Sequence, residues 1–294
     1  MSRSDFDAAL RFDAGGRRFA GGIALCAAPV ATLEAESTNF LSPEEAALLT
    51  ARLAPRRRHS LLAGRRAAKL ALRHVLPGTA SRSVRILPGV LDQPVVSGGG
   101  AENLQVTLSH AGSLAVAVAH AEACPIGVDL DLPSPEHRAA LFEQTSETER
   151  RLAAAALDVD EDRRLITLWC LKEALSKALR CGLTVPFGVL EIASLVREGQ
   201  GVRAQFVNFG QYVGLGVCTA GPSFAVVMPR TVAWTLADGS DPMTTTAQWL
   251  AEAASRPPIP IRTAHPSGRA PVGTGPIEGL QVVVPAEGFE PPTP

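Results

Sequence analysis

Apolar and polar positions change their period several times along the chain, and each change marks an element. After about twenty mostly polar residues, an apolar stretch from Gly22 to Ala31 reads as a strand. Ser42-Pro43-Glu44-Glu45 is a helix start, with serine at the N-cap, proline at N1 and acids in the first turn. Helical spacing then runs from about Arg57 to Leu76 and stops at Pro77-Gly78. Val84 to Leu87, Pro94 to Val96 and Leu104 to Ser109 read as short strands around a Gly98-Gly99-Gly100 turn. Leu114 to His120 alternates Leu, Ala and Val and completes a hairpin with the strand before it.

The same order then returns. Ile126 to Leu132 is a strand, and Thr145-Ser146-Glu147-Thr148-Glu149 starts a helix with hydroxyl caps and early acids. A longer helix spans about Asp162 to Cys181 and ends at Gly182, followed by strands at Val202 to Phe206, Tyr212 to Cys218 and Ser223 to Met228. Short echoes support a repeat: Ala68-Lys69-Leu70-Ala71-Leu72-Arg73 resembles Ser176-Lys177-Ala178-Leu179-Arg180. The pattern predicts an α+β protein of two similar α/β halves related by pseudo-twofold symmetry, residues 20–120 and 121–235. Past Trp234 the period dies. Residues 236–294 read as a disordered Pro/Gly-rich tail, with an isolated short helix at Ala247 to Ala254.

Composition narrows the class. Hydrophobic residues are 46% of the chain and charged ones 19%, enough apolar material for a buried core. A net charge of -1 excludes the global basic excess of a generic nucleic-acid binder, though not a local basic site. Cys26, Cys124, Cys170, Cys181 and Cys218 are odd in number and lack C-x-x-C spacing, which predicts buried free thiols in a reducing cytosol. No apolar h-region opens the chain and no apolar run is long enough to span a bilayer, so a soluble, cytoplasmic protein is expected.

Four groups of residues carry candidate chemistry. In Gly127-Val128-Asp129-Leu130-Asp131 the strand period puts both aspartates on one side, where a hard cation such as Mg²⁺ would relieve their repulsion. The glycine before them permits a ligand or another backbone to come close. In Trp169-Cys170-Leu171-Lys172-Glu173-Ala174-Leu175-Ser176-Lys177, Glu173 and Lys177 are either a surface i,i+4 ion pair or a metal carboxylate beside a phosphate-binding lysine. Ser109-His110 ends a strand before the Ala111-Gly112 turn and offers donors to a phosphate. The basic run Arg56-Arg57-Arg58-His59, with Gly64-Arg65-Arg66 and Lys69, places Arg58 and Arg65 near one another on a helix. Together they describe three carboxylates beside phosphate-binding cations, a combination suited to a pyrophosphate.

These motifs, in this order, resemble a 4′-phosphopantetheinyl transferase of the surfactin-synthetase-activating type, over about residues 20–235. The resemblance implies a monomeric pseudo-dimer that moves phosphopantetheine from coenzyme A to a serine of an apo acyl or peptidyl carrier protein. It implies Asp129, Asp131 and Glu173 as Mg²⁺ ligands, and Arg58, Arg65, Ser109, His110, Lys172 and Lys177 as contacts to coenzyme A. Lys177 would also stabilise the leaving 3′,5′-ADP, and Glu149 would deprotonate the serine directly or through water. Three positions depart from the family's pattern: Asp131 where Glu is usual, Gln93 where Lys commonly precedes Pro94, and Thr107 where Asn is frequent. A catalytically degenerate coenzyme A- or nucleotide-binding protein is the alternative, with no nucleic-acid or membrane partner expected in either reading.

Overall fold

The computed structural model describes residues 5–255. In chain order the elements are β1 (Asp5–Ala14), β2 (Arg17–Cys26), α1 (Val30–Phe40), α2 (Pro43–Ala46), α3 (Pro55–Leu72), β3 (Arg85–Pro88), β4 (Pro94–Ser97), β5 (Leu104–Ala111), β6 (Leu114–Ala121) and β7 (Gly127–Asp131). There follow α4 (Arg138–Glu143), α5 (Glu147–Ala156), α6 (Glu161–Leu179), β8 (Ile192–Glu198), β9 (Gly201–Phe206), β10 (Tyr212–Cys218), β11 (Ser223–Pro229), β12 (Val232–Leu236) and α7 (Pro242–Ala254).

Two five-stranded antiparallel sheets form, in the orders β12-β1-β2-β6-β5 and β7-β11-β10-β9-β8. Within them β2-β6-β5 and β7-β11-β10 have the same local order, and each carries a long helix, α3 on the first and α6 on the second. Strand periodicity divides the side chains between layers. Ile23, Leu25, Val116 and Val118 of the first sheet meet Val128, Leu130, Phe224 and Val226 of the second in a core between the sheets. The alternate residues Ala24, Ala117 and Ala119 pack under Ala63, Ala67 and Ala71 of α3. Ala204, Ala225 and Val227 likewise pack beneath Ile166, Leu171 and Leu175 of α6. Helix, sheet, sheet and helix thus make four layers around one shared core. Small residues under the helices matter, because they allow close approach. A Cβ on Gly22 would run into the Ala71 carbonyl oxygen of α3, and one on Gly127 into the Ala174 carbonyl oxygen of α6.

The structure corrects the sequence reading at three places. Residues 5–14, read as a polar lead-in, are a ten-residue strand whose Phe6, Ala8, Leu10 and Phe12 face the central core. The apolar stretch continued to Ala31 instead breaks after Cys26, and α1 follows from Val30. Residues 242–254, read as tail with an isolated short helix at Ala247 to Ala254, form α7, which is longer and not isolated: it inserts Met243, Trp249 and Leu250 into the core between the sheets. Residues 256–294 of that segment lie outside the described residues. All five cysteines are free thiols, and no helix among the described residues is long and apolar enough to cross a membrane.

Candidate functional site

The two sheets meet at the edges of β5 and β7, and side-chain hydroxyls rather than a backbone ladder join them. Thr107 Oγ1 accepts a hydrogen bond from the Val128 amide at 3.0 Å. The Ser109 hydroxyl lies 2.7 Å from Asp129 Oδ1 and 3.3 Å from the Leu130 carbonyl. Gly127 faces α6, so the strand period turns Asp129 and Asp131 towards the same helix and leaves Val128 and Leu130 in the core. Asp129 is buried, and its Oδ1 also accepts from Lys177 Nζ at 2.6 Å.

Glu173, one helical turn before Lys177, completes an acidic group across the β7–α6 junction. Burial, then the negative charge of Asp129, pushes its carboxyl up to about 7, with Asp131 adding to this and Lys177 opposing it. Burial also raises Asp131, whose Oδ1 accepts from the Leu132 amide at 2.7 Å. Among the described residues no three carboxylate, histidine or cysteine side chains are already gathered closely enough to enclose a metal. The donor set is nonetheless chemically apt for a hard divalent cation: burial and the Asp129 charge push the carboxyls of Glu173 and Asp131 up, and an ammonium already pairs with Asp129.

Glu149 and Lys172 sit elsewhere. Ser146 caps α5, and Glu149 at N3 closes a capping box. Its Oε2 accepts from the Ser146 amide at 2.8 Å and its Oε1 from the Ile192 amide of β8 at 3.0 Å. Lys172 Nζ donates to the Glu149 carboxylate at 2.8 Å and to the Gln144 carbonyl at 2.9 Å. Both side chains are 1% exposed, and neither lines a cavity by the carboxylate group. Trp169 stacks on Phe187, ring centroids 4.6 Å apart, and the Phe187 ring lies 5.9 Å from Lys172 Nζ. The two charges expected to meet serine and phosphate are spent on each other and on backbone.

The basic cluster resolves differently from the helical spacing proposed for it. Arg58 pairs with Glu34, whereas Arg57 joins Arg65, Ser60 and His110 around a cavity of about 440 Å³. The Arg65 Nε–H is buried without a hydrogen-bond acceptor, 3.5 Å from Glu45 Oε1. A second cavity of about 190 Å³ is bounded by Glu173, Ser176, Lys177 and Arg180 of the α6 end and by Thr107 and Gln105 of β5. Asp92, Pro94 and Leu108 line both, so the two cavities adjoin and together reach from the guanidiniums to Glu173 and Lys177. Arg57 is the residue the sequence reading named only within its run of arginines. The signal for it was available, since Arg57, Leu61 and Gly64 fall at i, i+4 and i+7.

No curated protein matches the chain. Arg58, Arg65, Ser109 and His110 precede the stretch over which a family is detected, while Asp129, Asp131, Glu149, Lys172, Glu173 and Lys177 all fall inside it. That stretch, residues 125–213 from the lead into β7 to the start of β10, matches the 4′-phosphopantetheinyl transferase superfamily.

Proposed function

We propose that this protein transfers the 4′-phosphopantetheine arm of coenzyme A to a serine of an apo acyl or peptidyl carrier protein and releases 3′,5′-ADP. The observation that carries this is the pair of adjoining cavities, one lined by Arg57, Arg65 and His110 and the other by Glu173 and Lys177, with Lys177 bonded to Asp129. A substrate with phosphates at both ends of its nucleotide fits that distribution of charge. In this reading Arg65 and Arg57 hold the 3′-phosphate, and Ser109, His110 and Lys177 reach the pyrophosphate. Asp129, Asp131 and Glu173 would hold Mg²⁺, which when bound supplies positive charge to the pyrophosphate oxygens.

Lys177 then has two successive partners. It leaves Asp129 and turns to the leaving phosphate, where an ammonium stabilises the charge that develops as the P–O bond breaks. The carrier serine attacks the β-phosphorus in line with that bond. With the Glu149 carboxylate closed off by its hydrogen bonds, a water in the cleft takes the serine proton. The remaining acceleration comes from holding nucleophile and phosphorus together. We read the matching strand orders as two pseudo-twofold halves, 20–120 and 121–235, within a monomeric cytoplasmic enzyme.

Mass spectrometry tests the proposal. Apo carrier protein incubated with coenzyme A and Mg²⁺ should gain about 340 Da, the mass of the transferred arm, on one serine. Coenzyme A bound with no mass gain would identify a degenerate binding protein instead, and neither binding nor gain would discard both readings.

A further inference from the structure

The buried Glu149–Lys172 pair has a twin. In the first half Ser42 caps α2, and Glu45 at N3 closes the same capping box. Glu45 Oε2 accepts from the Ser42 amide at 2.8 Å and from Lys69 Nζ at 2.8 Å. Its Oε1 accepts from the Ile86 amide of β3 at 3.2 Å, as Glu149 Oε1 accepts from Ile192 of β8. Lys69 also donates to the carbonyls of Ser81 and Val84, as Lys172 does to that of Gln144. Glu45 and Lys69 are 0% and 2% exposed. Cap, carboxylate, lysine of the long helix and an amide at the start of the following strand recur together in both halves.

Counted from Gly22 and Lys69, the first half has Ala24, Cys26 and Leu70 where the second has Asp129, Asp131 and Glu173. A function that both halves need is mechanical: each glutamate ties a helix N-terminus, the long helix and the following strand to one point. Helix α6 is thereby fixed in rotation about its axis, and Lys172 is the direct neighbour of Glu173. Helix α3 is fixed likewise, with Lys69 one turn beyond Arg65. We propose that Glu149 and Lys172 are positioning residues, a duplicated ion-pair clamp that aims Glu173 and Lys177 into the cleft, and that neither touches coenzyme A or the carrier serine. The proposal deepens the transferase reading above and rests on it for its kinetic test only.

An apolar replacement separates this role from catalysis. A buried ion pair exchanged for well-packed apolar side chains often keeps the fold, whereas removal of one partner leaves an uncompensated charge. Glu149→Leu and Lys172→Met singly should lower kcat about tenfold or more, while the double variant recovers to within about fivefold of wild type, with KM for coenzyme A little changed. Urea midpoints should follow the same order, the double variant above both singles. Glu45→Leu and Lys69→Met should repeat that stability pattern, with their kinetic effect in KM for coenzyme A. A folded Glu149→Leu/Lys172→Met variant slower than wild type by more than about a hundredfold, as loss of a proton acceptor would give, overturns the proposal. Should that variant not fold, Glu149→Gln decides: an unchanged ascending limb of kcat/KM against pH supports positioning, and its loss indicates a base. If wild type transfers nothing, the transferase reading fails, and urea midpoints that simply add across the cycle would overturn the clamp on their own.

Discussion

Glu173 changes its chemistry most with what fills the cleft. Its carboxyl stands at about 7, from burial first and the Asp129 and Asp131 charges next, against 4.5 in a free chain. Between those values the native protein holds a proton that the unfolded chain has released, so stability is greatest below the window and falls as pH rises through it. Burial holds His120 down to about 4, which adds stability as pH rises towards 6.5. The Glu173 contribution is therefore read as the wild-type urea midpoint minus that of Glu173→Gln, and this difference should fall between about pH 5 and about pH 8 in metal-free protein. Added Mg²⁺ should raise the wild-type midpoint at the higher pH more than that of the variant; a wild-type-minus-variant difference that climbs with pH in metal-free protein would contradict this. At the other end of the cleft, Arg65→Ala should raise KM for coenzyme A about tenfold and leave kcat nearly intact in steady-state assays. Sequence made the identity of these groups visible but not their burial. Asp129, Glu173 and Lys177 could be grouped because strand and helix periods project them predictably. Glu149 and Lys172 looked equally chemical, because nothing local reveals that a carboxylate meets a lysine 23 positions away and an amide 43 positions away. Arg57 and Arg58 differ by about a hundred degrees of helix, and only the packing of α3 chooses between them.

At the scale of elements, the contact of β7 with α6 is as demanding as any side chain in the cleft. Gly127 lets the strand lie against the Ala174 carbonyl, so Gly127→Ala must separate strand from helix or distort both. A loss of about 3 kcal/mol in urea denaturation is expected, with activity falling as Asp129 shifts relative to Lys177. Gly22→Ala, at the corresponding contact of β2 with α3, should cost a similar amount and move KM for coenzyme A rather than kcat. The sequence offered two meanings for Gly127, a close ligand or a close backbone, and the helix is the one the fold uses. Both capping boxes were legible in advance, because a cap needs only four consecutive residues. β1 was legible too, had its alternation been weighed above its charge: Phe6, Ala8, Leu10 and Phe12 keep a period of two between Asp5, Asp7, Arg11 and Asp13. β8, with a bulge near its start, presents no clean alternation.

For the molecule as a whole, strand order is the part that no local pattern encodes. β12, last of the described strands, lies beside β1 in the first sheet, with Leu10 opposite Leu236. α7 follows immediately and brings Trp249 against the Phe6 ring. A chain ended after residue 240 should thus show a markedly lower urea midpoint than one ended after residue 255, because only the shorter lacks Met243, Trp249 and Leu250 in the central core. Equal midpoints would show that α7 contributes nothing to folding. The pairing of β1 with β12 also has a consequence for how the protein is made. On the ribosome, β1 emerges ahead of β2 and pairs with it, yet its other edge lacks β12 until residue 236 has been synthesised. At about 5–20 residues per second, that open edge is available to neighbouring nascent chains for many seconds. Its alternating aspartates and arginine, which seemed a polar lead-in, are charges of the kind that discourage a wrong strand from joining an open edge.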